Sequence, residues 1–363
     1  MPTVADVLRR YGGEYLQGYG EQMPAEQRKV LRMIMACRTG ELGTVHYQCV
    51  SCGRTHVMGR SCGNRHCPSC QKDKAKAWLE KQTGRLLPCP YFLITFTVPA
   101  ELRAFMRSHS RVAYAALFEA SSEALKTLAS DPRHIGTKRP GFFGVLHTWG
   151  RDLSYHPHVH YVVPGGGLSD DGENWLPSGA NFYLPVRPLS ILYRAKFRAA
   201  MERAGLLEKI DRAVWQQPWI VHSQAAGDGR ASLKYLAPYV FRVAISDSRI
   251  VSCEEGRVTF TYRKSGTSHW RKTTLTAMEF IRRFLQHVLP CGFQKVRHYG
   301  FLSPNTKEPF ESVQWLVAAH YDFTFLLLSF SIEVGLELPK IRCGECGQMM
   351  VVVAYLPPYH DSS

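Results

Sequence analysis

The stretch GFFGVLHTWGRDLSYHPHVHYVVPGGG, residues 141–167, constrains the fold of this chain more than any other part of it. Two runs rich in β-branched and aromatic residues, 141–150 and 158–167, flank a short polar connection at 151–155. Such a pattern reads as an antiparallel hairpin. Residues two apart on a strand share a face, so His158 and His160 point one way while Val159 and Tyr161 point the other. Pairing the runs about their connection sets His147 across from His158. A slip of two residues sets it across from His160 on the same face. Cross-strand neighbours lie about 4.5–5.5 Å apart at Cβ, close enough for three imidazoles to share one ion. An isolated His-x-His pair is more often ordinary core or surface histidine, and the third histidine at the matching position is what makes metal a serious alternative. His156 stands before Pro157, which breaks ladder hydrogen bonding, and is read as a supporting neighbour.

The rest of the chain supplies a sheet and helices to go with that hairpin. Residues 1–38 read as two helices, the second at 25–35, where Val30, Leu31, Ile34 and Met35 form a helical stripe. A charged helix follows at 71–82, and the proline-bounded run 90–99 reads as a buried strand. Helical periodicity returns at 101–129, 188–205 and 276–289, with one further strand at 256–264. The order strand, helix, strand, strand, helix predicts an α+β fold, an antiparallel sheet with helices packed on it. The division expected is a helical and zinc-binding module at 1–88, a nuclease core at 89–250 and a C-terminal region at 251–363.

The segment 231–250, ASLKYLAPYVFRVAISDSRI, holds Tyr235 and Tyr239 four residues apart. On a helix that spacing places both hydroxyls on one face. Tyrosine can attack a phosphodiester and stay covalently attached, but its free pKa near 10 makes it a poor nucleophile at neutral pH. A cation binding the same phosphate lowers that barrier. Metal site and phenols therefore explain each other. Pro238 lies between the tyrosines, so either the helix starts near it or the helix is kinked there.

His158-Val159-His160 resembles the histidine–hydrophobe–histidine (HUH) motif of single-strand DNA endonucleases, with His147 at the eleven-residue spacing of a third ligand found in many relaxases. The tyrosine block YLAPYVFRVAIS, the metal block around His158 and the segment 279–304 resemble, in order, the two-tyrosine rolling-circle transposases of the insertion-sequence 91 family. The resemblance implies an antiparallel-sheet nuclease core. It also implies a Mg²⁺ or Mn²⁺ ion on His147, His158 and His160, with Tyr235 and Tyr239 as nucleophiles. The activity implied is cleavage and transfer of single-stranded DNA at transposon ends through a 5′-phosphotyrosine.

Eleven cysteines are unevenly spread. CVSC at Cys49–Cys52 and CPSC at Cys67–Cys70 are separated by fourteen residues, which reads as one tetrahedral Zn²⁺ site. Cys62, His46, His56 and His66 are unassigned and could substitute for one of the four ligands or make a second site. The stretch SCGNRHCPSCQ resembles the zinc-binding domain of the same transposases, with Arg54, Arg60, Arg65, Lys72, Lys74 and Lys76 suited to phosphate contact. Cys343 and Cys346 look like half of another zinc knuckle, with His360 as a candidate further ligand.

A net charge of +15 favours nucleic acid as partner. No export signal is read at the N-terminus, and the most apolar late run, 323–332, is far short of a membrane span. A cytoplasmic protein is expected. Rival readings are a plasmid replication initiator or relaxase with the same chemistry, set apart by the zinc module and by the lack of a G-x-x-x-x-G-K-[ST] loop, and a non-catalytic zinc-dependent DNA-binding protein.

Overall fold

The computed structural model describes residues 1–241, 244–263, 269–321 and 341–358, with the side chains of residues 72, 73, 238 and 239 outside the description. Helices α1 (Val4–Tyr19) and α2 (Ala25–Met35) lead to strands β1 (Thr44–Cys49) and β2 (Thr55–Gly59), then to α3 (Pro68–Thr83). Next come β3 (Tyr91–Thr97), α4 (Leu102–Ser108), α5 (Ser110–Ala129), β4 (Arg139–Pro140) and the expected hairpin, β5 (Phe142–Trp149) and β6 (Tyr155–Pro164). Short strands β7 (Gly166–Leu168) and β8 (Trp175–Pro177) precede α6 (Val186–Arg203), β9 (Ile220–Ala225) and α7 (Arg230–Phe241). The chain continues through β10 (Ile250–Glu254), β11 (Arg257–Arg263), β12 (Trp270–Thr276), α8 (Ala277–Leu285), β13 (Val296–Tyr299), α9 (Phe310–His320) and β14 (Met350–Leu356). The fold is α+β, with every named strand pair antiparallel.

The central sheet runs β13-β5-β6-β3-β9. Strand β6 lies in its middle, covered on both faces, so all but one of its residues are buried. Its two faces have separate tasks. Val159 and Tyr161 pack with Ile94, Phe96, Phe142 and Leu146 under α5 and α6. Gly144 stands opposite Tyr161, and a Cβ there would come within 2.4 Å of the tyrosine ring. Only glycine leaves room for that ring. On the other face Val145 and Val162 meet Leu233 and Leu236 of α7, with Val313 and Val317 of α9 in the same cluster. Burying such side chains contributes about 1.5–3 kcal/mol each, which seats α7 across the sheet.

A second core joins the N-terminal helices to sequence more than 200 residues away. Val4, Leu8, Leu31 and Ile34 pack with Ile250, Val258, Phe260, Phe280 and Phe284, and Trp149 and Leu153 from the β5–β6 turn share the cluster. The chain start thus braces the β10-β11-β12 sheet beside the hairpin turn.

Two expectations change. The helix at 101–129 divides at His109, whose φ of −116° and ψ of 36° lie outside the helical range. There the Ser108 hydroxyl bonds back to the carbonyls of Ala104 and Phe105, competing with the helix ladder. The tyrosine helix does not start near Pro238, because α7 begins at Arg230 and runs through that position. The late apolar run 323–332 and His360 lie outside the described residues.

Candidate functional site

The β5–β6 register places His147 directly opposite His158. His160, two residues on, shares their face, and one nitrogen from each of the three rings lies within 4.8 Å of the others. The rings stand edge to face, His147 at 5.1 Å from His158 and 4.5 Å from His160. Trp149 stacks on His147 at 5.4 Å. All three histidines are buried. Burial, first among the causes, pushes each pKa down, that of His158 to about 4 and those of His147 and His160 well below the ordinary value. The imidazoles are therefore neutral at physiological pH, the form that binds metal.

Hydrogen bonds orient two of the rings. His158 Nδ1 donates to the carbonyl of His156 at 2.7 Å, leaving Nε2 for a ligand role. Thr95 on β3 is the cross-strand partner of His160, and its hydroxyl lies 2.7 Å from His160 Nδ1. His160 Nε2 is buried with no hydrogen-bond partner. An orphaned buried nitrogen facing two other imidazoles is a donor set that suits a divalent ion. His156 supports the group through its backbone, while its ring nitrogen Nδ1 accepts from Arg103 at 2.7 Å.

Helix α7 brings Tyr235 over this face. Its ring centroid lies 5.7 Å from that of His160, edge to face, and the side chain is 42% exposed. Tyr239 follows one turn later on α7, and its side chain is outside the description. Two clefts meet at Tyr235 and Arg151. One, of about 400 Å³, is lined by His147, His158, Arg249, Tyr262 and Arg263. The other, of about 550 Å³, is lined by Thr95, His160, His222 and Gln224. Trp270 on β12 is 56% exposed and carries Arg263 over its ring at 4.9 Å. Neither the role of Thr95 nor this cationic and aromatic wall follows from the sequence. Thr95 lay within the expected strand 90–99, but only the β3–β6 pairing gives it a role.

The cysteines assort differently from the expected grouping of Cys49 and Cys52 with Cys67 and Cys70. Cys49 and Cys52 do not meet Cys67 and Cys70. Instead Cys67 and Cys70 gather with Cys62 and Cys37, and Cys49 and Cys52 gather with Cys343 and Cys346. The reason is topological: β1 and β2 carry the first pair away from α3, while α2 delivers Cys37 to the α3 start. Sulfur separations in the first cluster are 3.5 Å for Cys37–Cys70, 3.6 Å for Cys62–Cys70 and 3.9 Å for Cys37–Cys67. Four thiolates around Zn²⁺ at about 2.3 Å stand about 3.8 Å apart, so this set fits the ion. His66 is excluded as a ligand. Its Nδ1 bonds Asn64 Oδ1 and its Nε2 accepts from the Leu289 N–H. Arg65 donates to the carbonyls of Phe293 and Pro290.

Comparison with known proteins agrees with this picture. Residues 141–309 match a family described as "Putative transposase", and residues 7–98 match a "Transposase zinc-binding domain". The chain is 40% identical to "Putative transposase y4qJ" of Sinorhizobium fredii over 85% of its own length and 82% of that protein's. It is 30% identical to the "Transposase for insertion sequence element IS801" of Pseudomonas savastanoi pv. phaseolicola, over 88% of its length and 82% of the relative's. No solved structure matches significantly. Among the described residues, no helix is long and apolar enough to cross a membrane. The chain belongs to the transposases of the insertion-sequence 91 family, DNA-acting enzymes that carry an N-terminal zinc-binding domain with structural Zn²⁺.

Proposed function

We propose that this transposase cuts and transfers single-stranded DNA at the ends of its element by an HUH, rolling-circle mechanism through a 5′-phosphotyrosine. The observation that carries the reading is the placement of Tyr235, half-exposed, 5.7 Å from the ring of His160 in the three-histidine group. His147, His158 and His160 would hold Mg²⁺ or Mn²⁺. When bound, that ion supplies positive charge to a scissile phosphate and so favours the charge that develops during attack.

The chain's own residues do the rest. Thr95 and the His156 carbonyl fix two imidazoles in the ligating tautomer. The Tyr235 Oη attacks phosphorus, forming the O–P bond as the bond from phosphorus to the 3′-oxygen breaks. The phenol proton is lost and the leaving 3′-oxygen gains one, so the step is neutral overall. Tyr239 is the candidate for a second transfer. The clefts on either side of Tyr235 accommodate the strand before and after the break. Arg263 and Arg151 supply backbone contacts there, and Tyr262 and Trp270 offer rings on which bases can stack. The division expected from the sequence, with a zinc-binding, DNA-binding module at 1–88, a nuclease core with the tyrosine helix at 89–250 and a C-terminal transposase region at 251–363, belongs to this proposal, as does action in the cytoplasm.

The test is incubation of the protein with single-stranded oligonucleotides from the element ends and Mn²⁺, with a denaturing gel and peptide mapping of any adduct. A DNA-linked peptide containing Tyr235 is expected. No adduct under any divalent ion, with DNA binding intact, would favour a non-catalytic binding role.

A further inference from the structure

The turns at Cys49–Gly53 and Cys343–Gly347 repeat one geometry at opposite ends of the chain. Each is a Cys-x-x-Cys-Gly run in which the glycine N–H donates to the first cysteine's carbonyl, Gly53 to Cys49 at 3.1 Å and Gly347 to Cys343 at 2.9 Å. In each, the first cysteine's N–H donates to the carbonyl of the residue after the glycine, Arg54 or Gln348, at 2.8 Å. Both glycines have φ of +72°, a left-handed conformation that favours glycine. The two turns face one another. Sulfur separations are 3.5 Å for Cys49–Cys346, 3.7 Å for Cys52–Cys343 and 3.6 Å for Cys52–Cys346. These edges match the roughly 3.8 Å of a tetrahedral zinc–thiolate site and are far too long for disulfides.

The surrounding structure brings the ends together but lacks the apolar mass to hold them. Strand β14 pairs with β1 from Thr44↔Leu356 to Cys49↔Met350, and Arg54 of the first turn is ion-paired with Glu345 of the second. Gly43, with φ of +90°, admits the strand end, since a Cβ there would lie 2.4 Å from the Leu356 carbonyl oxygen. Yet among the described residues the buried core here is Cys49, Cys343 and Met350, with Tyr47 and Ile341 packed against it. A three-stranded sheet with so small a core needs another staple.

We propose that Cys49, Cys52, Cys343 and Cys346 bind a Zn²⁺ ion of their own, separate from the Cys37–Cys62–Cys67–Cys70 site, which clasps the C-terminal strand to the N-terminal ribbon. Binding replaces thiol protons with metal–sulfur bonds, and the protons go to solvent. The zinc-binding domain matched at 7–98 holds just one half of this ligand set.

The test is metal analysis of the full chain purified without chelator. About two zinc ions per chain are expected, falling to about one in Cys343→Ser/Cys346→Ser and to about one in Cys67→Ser/Cys70→Ser. Alkylation mapped by mass spectrometry gives a measurement on the unaltered protein. Cys52, Cys346 and Cys291 are all exposed. In the zinc-loaded chain Cys291 should react while Cys52 and Cys346 resist, and a chelator should make all three reactive. One zinc per chain, iron in place of zinc, or alkylation of Cys346 at the rate of Cys291 would overturn the proposal. None of these readouts depends on DNA cleavage.

Discussion

Tyr235 and His160 come from elements about 75 residues apart in the chain, yet their rings meet edge to face at 5.7 Å. The contact exists because Leu233 and Leu236 are fully buried against the sheet. With those leucines turned inward, Tyr235 faces the clefts. If Tyr235 is the nucleophile, Tyr235→Phe should lower adduct formation by at least about 1,000-fold. Its exposure should keep the stability change within about 0.5 kcal/mol. Single-turnover cleavage and a thermal melt on the same sample check both halves.

Thr95 Oγ1 lies 2.7 Å from His160 Nδ1, and in the tautomer that leaves Nε2 for metal the hydroxyl accepts from Nδ1–H. Thr95→Val removes the acceptor and keeps the strand shape. Mn²⁺ affinity, read by titration with electron paramagnetic resonance, should drop by about 10–100-fold. An unchanged affinity would mean that the hydroxyl does not orient the ring.

Arg263 lines the cleft and stands over the ring of Trp270, but the expected contributions of the two side chains to DNA binding differ in kind. Trp270→Ala should weaken binding of a short single strand by about 1–3 kcal/mol while leaving the salt dependence nearly unchanged. Arg263→Ala should also reduce the slope of log affinity against log salt by about 0.7. Fluorescence anisotropy at several salt concentrations separates the two effects.

His287 is fully buried between Thr148 and the Leu153 carbonyl, and burial holds its pKa down to about 3. Its unfolded value is about 6.5. Between these values the unfolded chain takes up a proton that the folded chain refuses. Its contribution to stability therefore rises with pH from about 3 to 6.5 and is level above that. Buried His66, also held to about 3, acts with the same sign. Melting temperature should fall as pH drops from about 6.5 towards 4, and the fall should be smaller in His287→Gln. Melts across that pH series give the comparison.

The histidine face was legible because it needed only local rules. Period-two alternation put His158 and His160 on one side, and a short connection allowed few registers for His147; the observed His147↔His158 pairing is one of them. Helix α2 was legible in the same way, from its apolar stripe. The edge strands β9 and β13 were not, since each is only a few residues long and partly exposed. Such strands take their form from the neighbour they pair with.

Local sequence, then, determined which residues could carry metal chemistry and how the hairpin aligned them, because strand and helix periodicities act over a few residues. Tertiary structure alone decided which cysteines share a cluster, that Thr95 meets His160, and that Tyr235 comes over the histidines. Those relations join segments far apart in the chain. They follow from which apolar faces pack together, and no spacing along the sequence encodes that choice.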